Sequence, residues 1–497
     1  MHQLPLIIFE PHRSDQLLVE TFSHGLVHDD SARRDLEIRY GPLFSETDKF
    51  NRQTVSFQAN KTEVLHRWIK YREGFSSSLV EQLVCEFNLS QGDTVFDPFA
   101  GSCTTLLVAK VLGINGVGIE LLPHCHLAWE AKSHAFDYPL TELVEVQARL
   151  KSVEPADSGL PFPHLLITQS AFPPQTERDL MAYKVWFDEL PFSQDTKTLC
   201  RFVLMSILED VSYTRKDGQY LRWDARAPKV MMRNNRRISE GKAVIDGIDK
   251  GELPTVRQCL IEALSRIIHD IKRLQSDPLA LSEQTLHKGS TLEILPTLAA
   301  EQFNAVITSP PYANRYDYTR TYALELAFLG VDQGIFDLRQ RLLSCTVENR
   351  SKSNSLELYY QSIGAHERYL SARATARSNE SLIEVSAALK KRHTRGEINN
   401  SGVLPMIDQY FEEMTMVFYE LFRTCRTGAQ VAFVNDNVRY AGEIIPVDTI
   451  STSIAEAIGF TPEAIYVLPQ KKGNSSQQMS RYGRVPLRKS ITIWRKP

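Results

Sequence analysis

The sequence predicts an α/β fold, a largely parallel sheet flanked by helices and interrupted by a long insertion. Three observations predict it. Phe303-Asn304-Ala305-Val306-Ile307-Thr308 is an apolar, β-branched run of strand length, stopped by Ser309-Pro310-Pro311-Tyr312. Asp93-Thr94-Val95-Phe96-Asp97 is a second such run, ending in a small-residue loop that opens a helix. The last third of the chain alternates helix, strand, helix, strand, strand, and the final pair reads as an antiparallel hairpin.

Size and composition fit that reading. A chain of 497 residues holds one large elaborated domain or two to three ordinary ones. Apolar residues at 42% and charged residues at 24% describe a globular protein with a substantial core. No apolar run reaches membrane-spanning length, and the N-terminus lacks the basic head and cleavage site of a signal peptide. The seven cysteines are scattered without a Cys-x-x-Cys pair, which argues against a disulfide framework or a zinc site and for reduced thiols in the cytoplasm. A net charge of −3 gives no global pull toward nucleic acid, so local clustering has to supply it.

Taken in order, residues 1–45 show no clear period and read as an N-terminal extension. His66-Arg67-Trp68, Tyr71 and Phe75 precede the Ser-rich Ser76-Ser77-Ser78, which opens an amphipathic helix through Leu79, Leu83 and Phe87. The strand at 93–97 leads into Pro98-Phe99-Ala100-Gly101-Ser102-Cys103 and a helix from Thr104 to Leu112. Such a loop lets a ligand approach the backbone closely, and the helix N-terminus offers free N–H groups to a carboxylate. The short strand Gly116-Val117-Gly118-Ile119-Glu120 ends in an acid placed to accept two ribose hydroxyls. A dinucleotide would use the same acid, but Gly-x-Gly-x-x-Gly is absent.

Residues 124–285 interrupt the alternation, with prolines crowding 155–174 and helical stretches at 195–210 and 255–275, and 150–285 reads as an inserted target-recognition region. Between those helices basic and aromatic residues interleave. Arg215, Lys216, Arg222, Arg226, Arg233 and Arg236 are candidates for contacting double-stranded DNA, since such side chains neutralise phosphates and read base edges. A merely solvated basic face is the ordinary alternative. Segment 330–405 is helical in pattern, and the acid-free basic residues of 471–489 sit in the loop of the terminal hairpin.

The loops Asp97-Pro98-Phe99-Ala100-Gly101-Ser102-Cys103-Thr104-Thr105 and Ser309-Pro310-Pro311-Tyr312 together resemble the signatures of the AdoMet-dependent DNA amino-methyltransferases, which methylate exocyclic amines of bases. The resemblance covers roughly residues 55–135 and 286–497. It implies a Rossmann-like class I methyltransferase sheet with a large inserted recognition region. The halves would be 46–149 for S-adenosyl-L-methionine (AdoMet) binding and 286–497 for catalysis, the latter carrying the 330–405 helical insert.

By the same resemblance Asp97, Phe99, Ala100, Gly101, Ser102, Cys103, Thr104 and Glu120 hold AdoMet, with Tyr71 and Phe75 as neighbours. Ser290, in Gly289-Ser290 where the family usually has Gly-Asp, stands near the adenine ring. Cys103 replaces the family's second glycine. Ser309, Pro310, Pro311 and Tyr312 form the catalytic loop, and Ser in the first position favours cytosine N4 over adenine N6. No metal is expected. An RNA amino-methyltransferase and a non-catalytic DNA-binding subunit are the competing functions. A cognate restriction endonuclease is the partner that the family implies besides DNA.

Overall fold

The computed structural model describes residues 18–25, 28–47, 50, 55–56, 58–217, 220–276, 281–468, 482–483 and 485–497. Its strands, in chain order, are β1 Phe44–Glu46, β2 Thr94–Asp97, β3 Asn115–Glu120, β4 Thr214–Asp217, β5 Tyr220–Trp223 and β6 Gln284–Lys288, then β7 Phe303–Thr308, β8 Cys425–Asp436, β9 Val438–Tyr440, β10 Glu443–Ile445, β11 Thr461–Leu468 and β12 Lys489–Arg495. Eight of them form one sheet in the order β1-β11-β12-β8-β7-β2-β3-β6. Every neighbouring pair in it is parallel except the two made by β12, which runs antiparallel to both β11 and β8. A parallel-dominated sheet with helices on both faces is the Rossmann-like arrangement that the sequence predicts.

The central strands are buried on both sides, which is why they read as continuous apolar runs. Along β7 the side chains alternate. Ala305 and Ile307 pack with Val95, Leu79, Leu83 and Val108 on one face. Val306 and Phe303 pack with Phe96, Phe433, Phe418 and Trp494 on the other. Phe96 and Phe303 stack with centroids 4.2 Å apart. The first face is covered by the helix Ser77–Glu86, capped by Ser76, whose hydroxyl accepts from the Leu79 N–H at 3.3 Å. The second is covered by the long helix Val403–Thr424 and the helix Val447–Ile458.

The insertion opens after β3 and closes at β6, which pairs in parallel with β3 from Gly116↔Gln284 to Glu120↔Lys288. Its helices Leu140–Ser152, Pro174–Glu189, Gln194–Ser206 and Val256–Leu274 share an apolar core, through Leu143, Leu180, Phe202 and Leu264, that is continuous with Trp68, Leu107, Tyr322 and Phe328 outside the insertion. The segment 330–405 forms four helices. Leu356, Tyr360, Tyr369 and Leu389 from it join the core under Met406 and Phe411, so its apolar face belongs to the sheet's own scaffold.

Two stretches behave differently from their sequence appearance. Within 1–45, the helix Ser31–Tyr40 is pinned by fully buried Arg33, whose Nε lies 2.5 Å from Glu384 and whose Nη1 lies 3.2 Å from Glu443. Glu37 of that helix meets Arg488 at 2.5 Å, and β1 extends the sheet edge. Within the basic stretch 471–489, residues 471–481 and 484 lie outside the described residues. Arg488, immediately before β12, is not a solvated loop residue. Its guanidinium is buried between Glu37 and Asp448, the latter at 2.6 Å.

Candidate active site

Two loops leave the carboxyl ends of the adjacent parallel strands β2 and β7, where ligand sites form in open α/β sheets. Asp97 ties them together. Its buried carboxylate accepts from the Phe99 N–H at 3.1 Å, the Thr105 hydroxyl at 2.8 Å and the Thr308 hydroxyl at 2.7 Å. Burial raises its pKa to about 6, against the pull of those hydrogen bonds. The bonded oxygens give Asp97 a loop-fixing role.

Gly101 sits at φ +52°, and a Cβ there would lie 2.9 Å from Cε1 of Tyr71. Tyr71 therefore lies against the loop backbone. Gly101→Ala is expected to displace Tyr71 and to weaken AdoMet binding tenfold or more, read by calorimetry, since both the backbone and the contact reject the methyl. Cys103 is in the left-handed region at φ 62°, which costs a non-glycine residue about 1 kcal/mol. Its buried thiol packs with Ala100 and Leu106, which offsets part of that cost.

Glu120 closes the site from β3. Its carboxylate accepts from the N–H groups of Gly101, Leu121 and Leu122, each at 2.7 Å. Oε1 takes two of these and Oε2 one, which leaves Oε2 able to accept a hydroxyl. Burial raises its pKa from 4.5 to about 7, with the backbone hydrogen bonds opposing. A carboxyl raised on folding stabilises the folded state fully below 4.5 and loses that contribution as pH rises through about 7. The urea midpoint of the cofactor-free protein should therefore fall more steeply between pH 5 and 8 than that of Glu120→Gln.

The cavity between the loops is lined by Tyr71, Phe75, Asp97, Phe99, Ala100, Gly101, Ser102, Thr104, Glu120, Ser290, Ser309 and Pro311. Of the expected cofactor residues, Cys103 alone lies off the lining, turned into the core. The Ser290 hydroxyl donates to the Arg341 carbonyl at 2.8 Å. Glu73, Thr291, Tyr318 and Leu343 also line the cavity and were missed by the sequence reading. Glu73 had a signal, two positions from Tyr71; Leu343 lies in a loop with none. The Glu73 carboxylate is hydrogen-bonded by the phenols of Tyr316 and Tyr322.

On the second loop, Ser309 Oγ and Tyr312 Oη are hydrogen-bonded at 3.1 Å. The ammonium of Lys489 stands 5.4 Å from the Tyr312 ring centroid. Tyr440 donates to the Ala313 carbonyl at 2.7 Å, which holds the loop's far side. Pro310 and Tyr312 lie off the cavity lining, while Ser309 and Pro311 face it. The loop thus offers a hydroxyl, peptide carbonyls and an aromatic face beside the cavity. That set suits a planar, amine-bearing ring.

The basic residues of the insertion divide in two. Lys216 was expected to reach DNA, but it is buried, paired with Glu325 and lying 3.8 Å from Glu209, with its Nζ 4.7 Å from the Tyr322 ring centroid. Alternation explains it. In the β4–β5 hairpin Lys216 and Leu221 share the inner face, while Arg215 and Arg222 oppose each other on the exposed one. Arg226 chelates Asp224 at 2.8 Å, and Arg233 and Arg236 stand exposed on the helix Pro228–Ser239, which has no acid.

Comparison with known proteins gives one consistent answer. A family model described as DNA methylase, of the N6/N4 type, matches residues 42–130. The type II methyltransferase M.BsoBI of Geobacillus stearothermophilus is 54% identical over 484 residues, covering 96% of this chain and 95% of that one. The type II methyltransferases M.AvaI of Nostoc sp. and of Anabaena variabilis are 39% identical over 480 residues, covering 93% of this chain and 92% of theirs.

Proposed function

The chain belongs to the N6/N4-type DNA methylases, AdoMet-dependent type II methyltransferases, and from that premise we propose that it methylates the N4 amine of cytosine in double-stranded DNA. The observation that carries the base assignment is Ser309 at the head of the Pro-Pro-Tyr loop. Serine there is commoner among the family's cytosine-N4 enzymes, and Asp or Asn among its adenine-N6 enzymes.

The cavity residues fit AdoMet. Gly101 keeps the loop open to close approach, Oε2 of Glu120 retains room for a ribose hydroxyl, and Phe99, Ile119 and Leu292 supply apolar walls. AdoMet supplies an electrophilic methyl carbon. The loop's work is on the nucleophile. Cytosine N4 is weakly nucleophilic because its lone pair is delocalised into the ring. With the base flipped out of the duplex, the Ser309 hydroxyl and the Pro310 carbonyl accept its two N–H bonds, and Tyr312 stacks on its face. Holding both hydrogens turns the nitrogen toward sp³ and concentrates the lone pair along the attack line. The amine replaces the Tyr312 hydroxyl as the partner of Ser309.

We assign residues 150–285 as the target-recognition region. Arg215 and Arg222 face each other across the exposed side of the hairpin, Arg222 also reaching Asp217 at 3.2 Å, and a phosphate between the two arginines would be held from both strands. Arg226, Arg233 and Arg236 lie on the same exposed stretch. The enzyme would work in a restriction–modification or phage-defence system beside a cognate endonuclease. Nucleoside mass spectrometry on DNA incubated with protein and AdoMet tests the assignment. N4-methylcytosine supports it, and N6-methyladenine overturns the base while leaving the loop chemistry intact.

A further inference from the structure

Arg315, three residues past Tyr312, has a backbone φ of 68°. A left-handed arginine costs about 1 kcal/mol, and such strain persists only where the surroundings fix it. Here they do. The Asn314 N–H donates to the Tyr312 carbonyl at 2.7 Å, Asn314 Oδ1 accepts from the Tyr316 N–H at 3.1 Å, and Tyr440 holds Ala313.

The guanidinium held there lacks a counterion. Among the described residues no carboxylate lies within ion-pair distance of Arg315, and its Nε is shielded from solvent without a hydrogen-bond partner. Four sheltered arginines elsewhere differ. Arg33, Arg339, Arg423 and Arg488 each meet a carboxylate. A sheltered cation without a counterion is costly unless a ligand brings the anion. That anion is not the cofactor's carboxylate, because Arg315 does not line the AdoMet cavity. It sits on the acceptor loop, beside Tyr440, whose buried phenol feels its charge. The strand that delivers a base to Ser309 and Tyr312 carries one phosphodiester per nucleotide past this loop.

We propose that Arg315 binds the backbone phosphate next to the flipped nucleotide and so positions the target base on the Ser309–Tyr312 loop. The inference rests on the amine-methyltransferase reading above. The test uses a duplex bearing the site mapped from methylated product, with Arg315→Ala and Arg315→Lys in the full-length protein. Arg315→Ala should bind that duplex about tenfold or more weakly, with a slope of log K against log salt smaller by about one. AdoMet binding should be unchanged. Arg315→Lys should recover the slope but only part of the affinity, because it keeps the charge and loses the bidentate fork. A methylphosphonate at the phosphate flanking the target base should weaken the wild type and leave Arg315→Ala unaffected. An unchanged salt slope in Arg315→Ala, or a parallel loss of AdoMet binding, would overturn the assignment. If the wild type transfers no methyl to DNA, the reading beneath it has failed instead.

Discussion

Ser309→Ala should lower kcat for methyl transfer to DNA by about 10²–10³-fold while leaving AdoMet affinity within twofold. The Ser309 hydroxyl faces the cavity from the acceptor loop and is the side-chain acceptor available to the amine there. Its loss removes a hydrogen bond that matters most as the nitrogen rehybridises, so the effect falls on turnover. Tyr312→Ala should cost a similar factor, with a larger share in the KM for DNA, because stacking holds the flipped base before reaction. Single-turnover assays with tritiated AdoMet, beside calorimetry, separate the two. Unimpaired transfer by both variants would remove this loop from the mechanism.

The second large effect is on stability. Arg488→Ala leaves the carboxylates of Glu37 and Asp448 facing each other in the interior without their cation. Removing one partner of a buried charge cluster typically costs 3–5 kcal/mol, far more than the pair itself contributes relative to a hydrophobic replacement. Chemical denaturation should show the loss as a lower midpoint at unchanged slope. A shift below about 1 kcal/mol would mean that water reaches the site and screens the acids. Replacing Arg488, Glu37 and Asp448 together with apolar residues of similar size should recover most of the loss.

Arg488 also marks where the sequence ceases to be legible. The strands at 93–97 and 303–308 could be read directly, because burial on both faces leaves an apolar run and a small-residue or Pro-Pro loop leaves a sharp end. The helix at 447–458 and the closing hairpin strands could be read for the same reason. Charge could not. Lys216 and Arg488 look like members of solvated basic runs, yet each is the cation at the centre of two acids, Glu209 with Glu325 and Glu37 with Asp448. Glu325, Glu37 and Asp448 lie far from their cations in sequence, and Glu209, seven residues before Lys216, lies outside the β4–β5 hairpin, so no strand pattern reveals the pairing. The hairpin of β9 and β10 is not legible in the sequence, because strands of three residues are too short to show a period. Within the site, residues of the motifs themselves are legible, whereas Leu343, delivered by a remote loop, is not, and neither are Glu73 and Thr291 beside motif residues.

The hydrogen bond from Thr308 to Asp97 joins loops whose strands, β2 and β7, are neighbours in register through Val95↔Ala305 and Phe96↔Val306. Donor and acceptor loops are thus held apart by a fixed ruler, the spacing of paired strands, about 4.8 Å. The insertion begins after β3, one strand from β2, and ends at β6, two strands away, and neither of these strands pairs with β7. On the proposed assignment of the insertion to target reading, exchanging it would redirect the enzyme to a new sequence without retuning transfer distance, and target choice and reaction chemistry would diverge at separate rates.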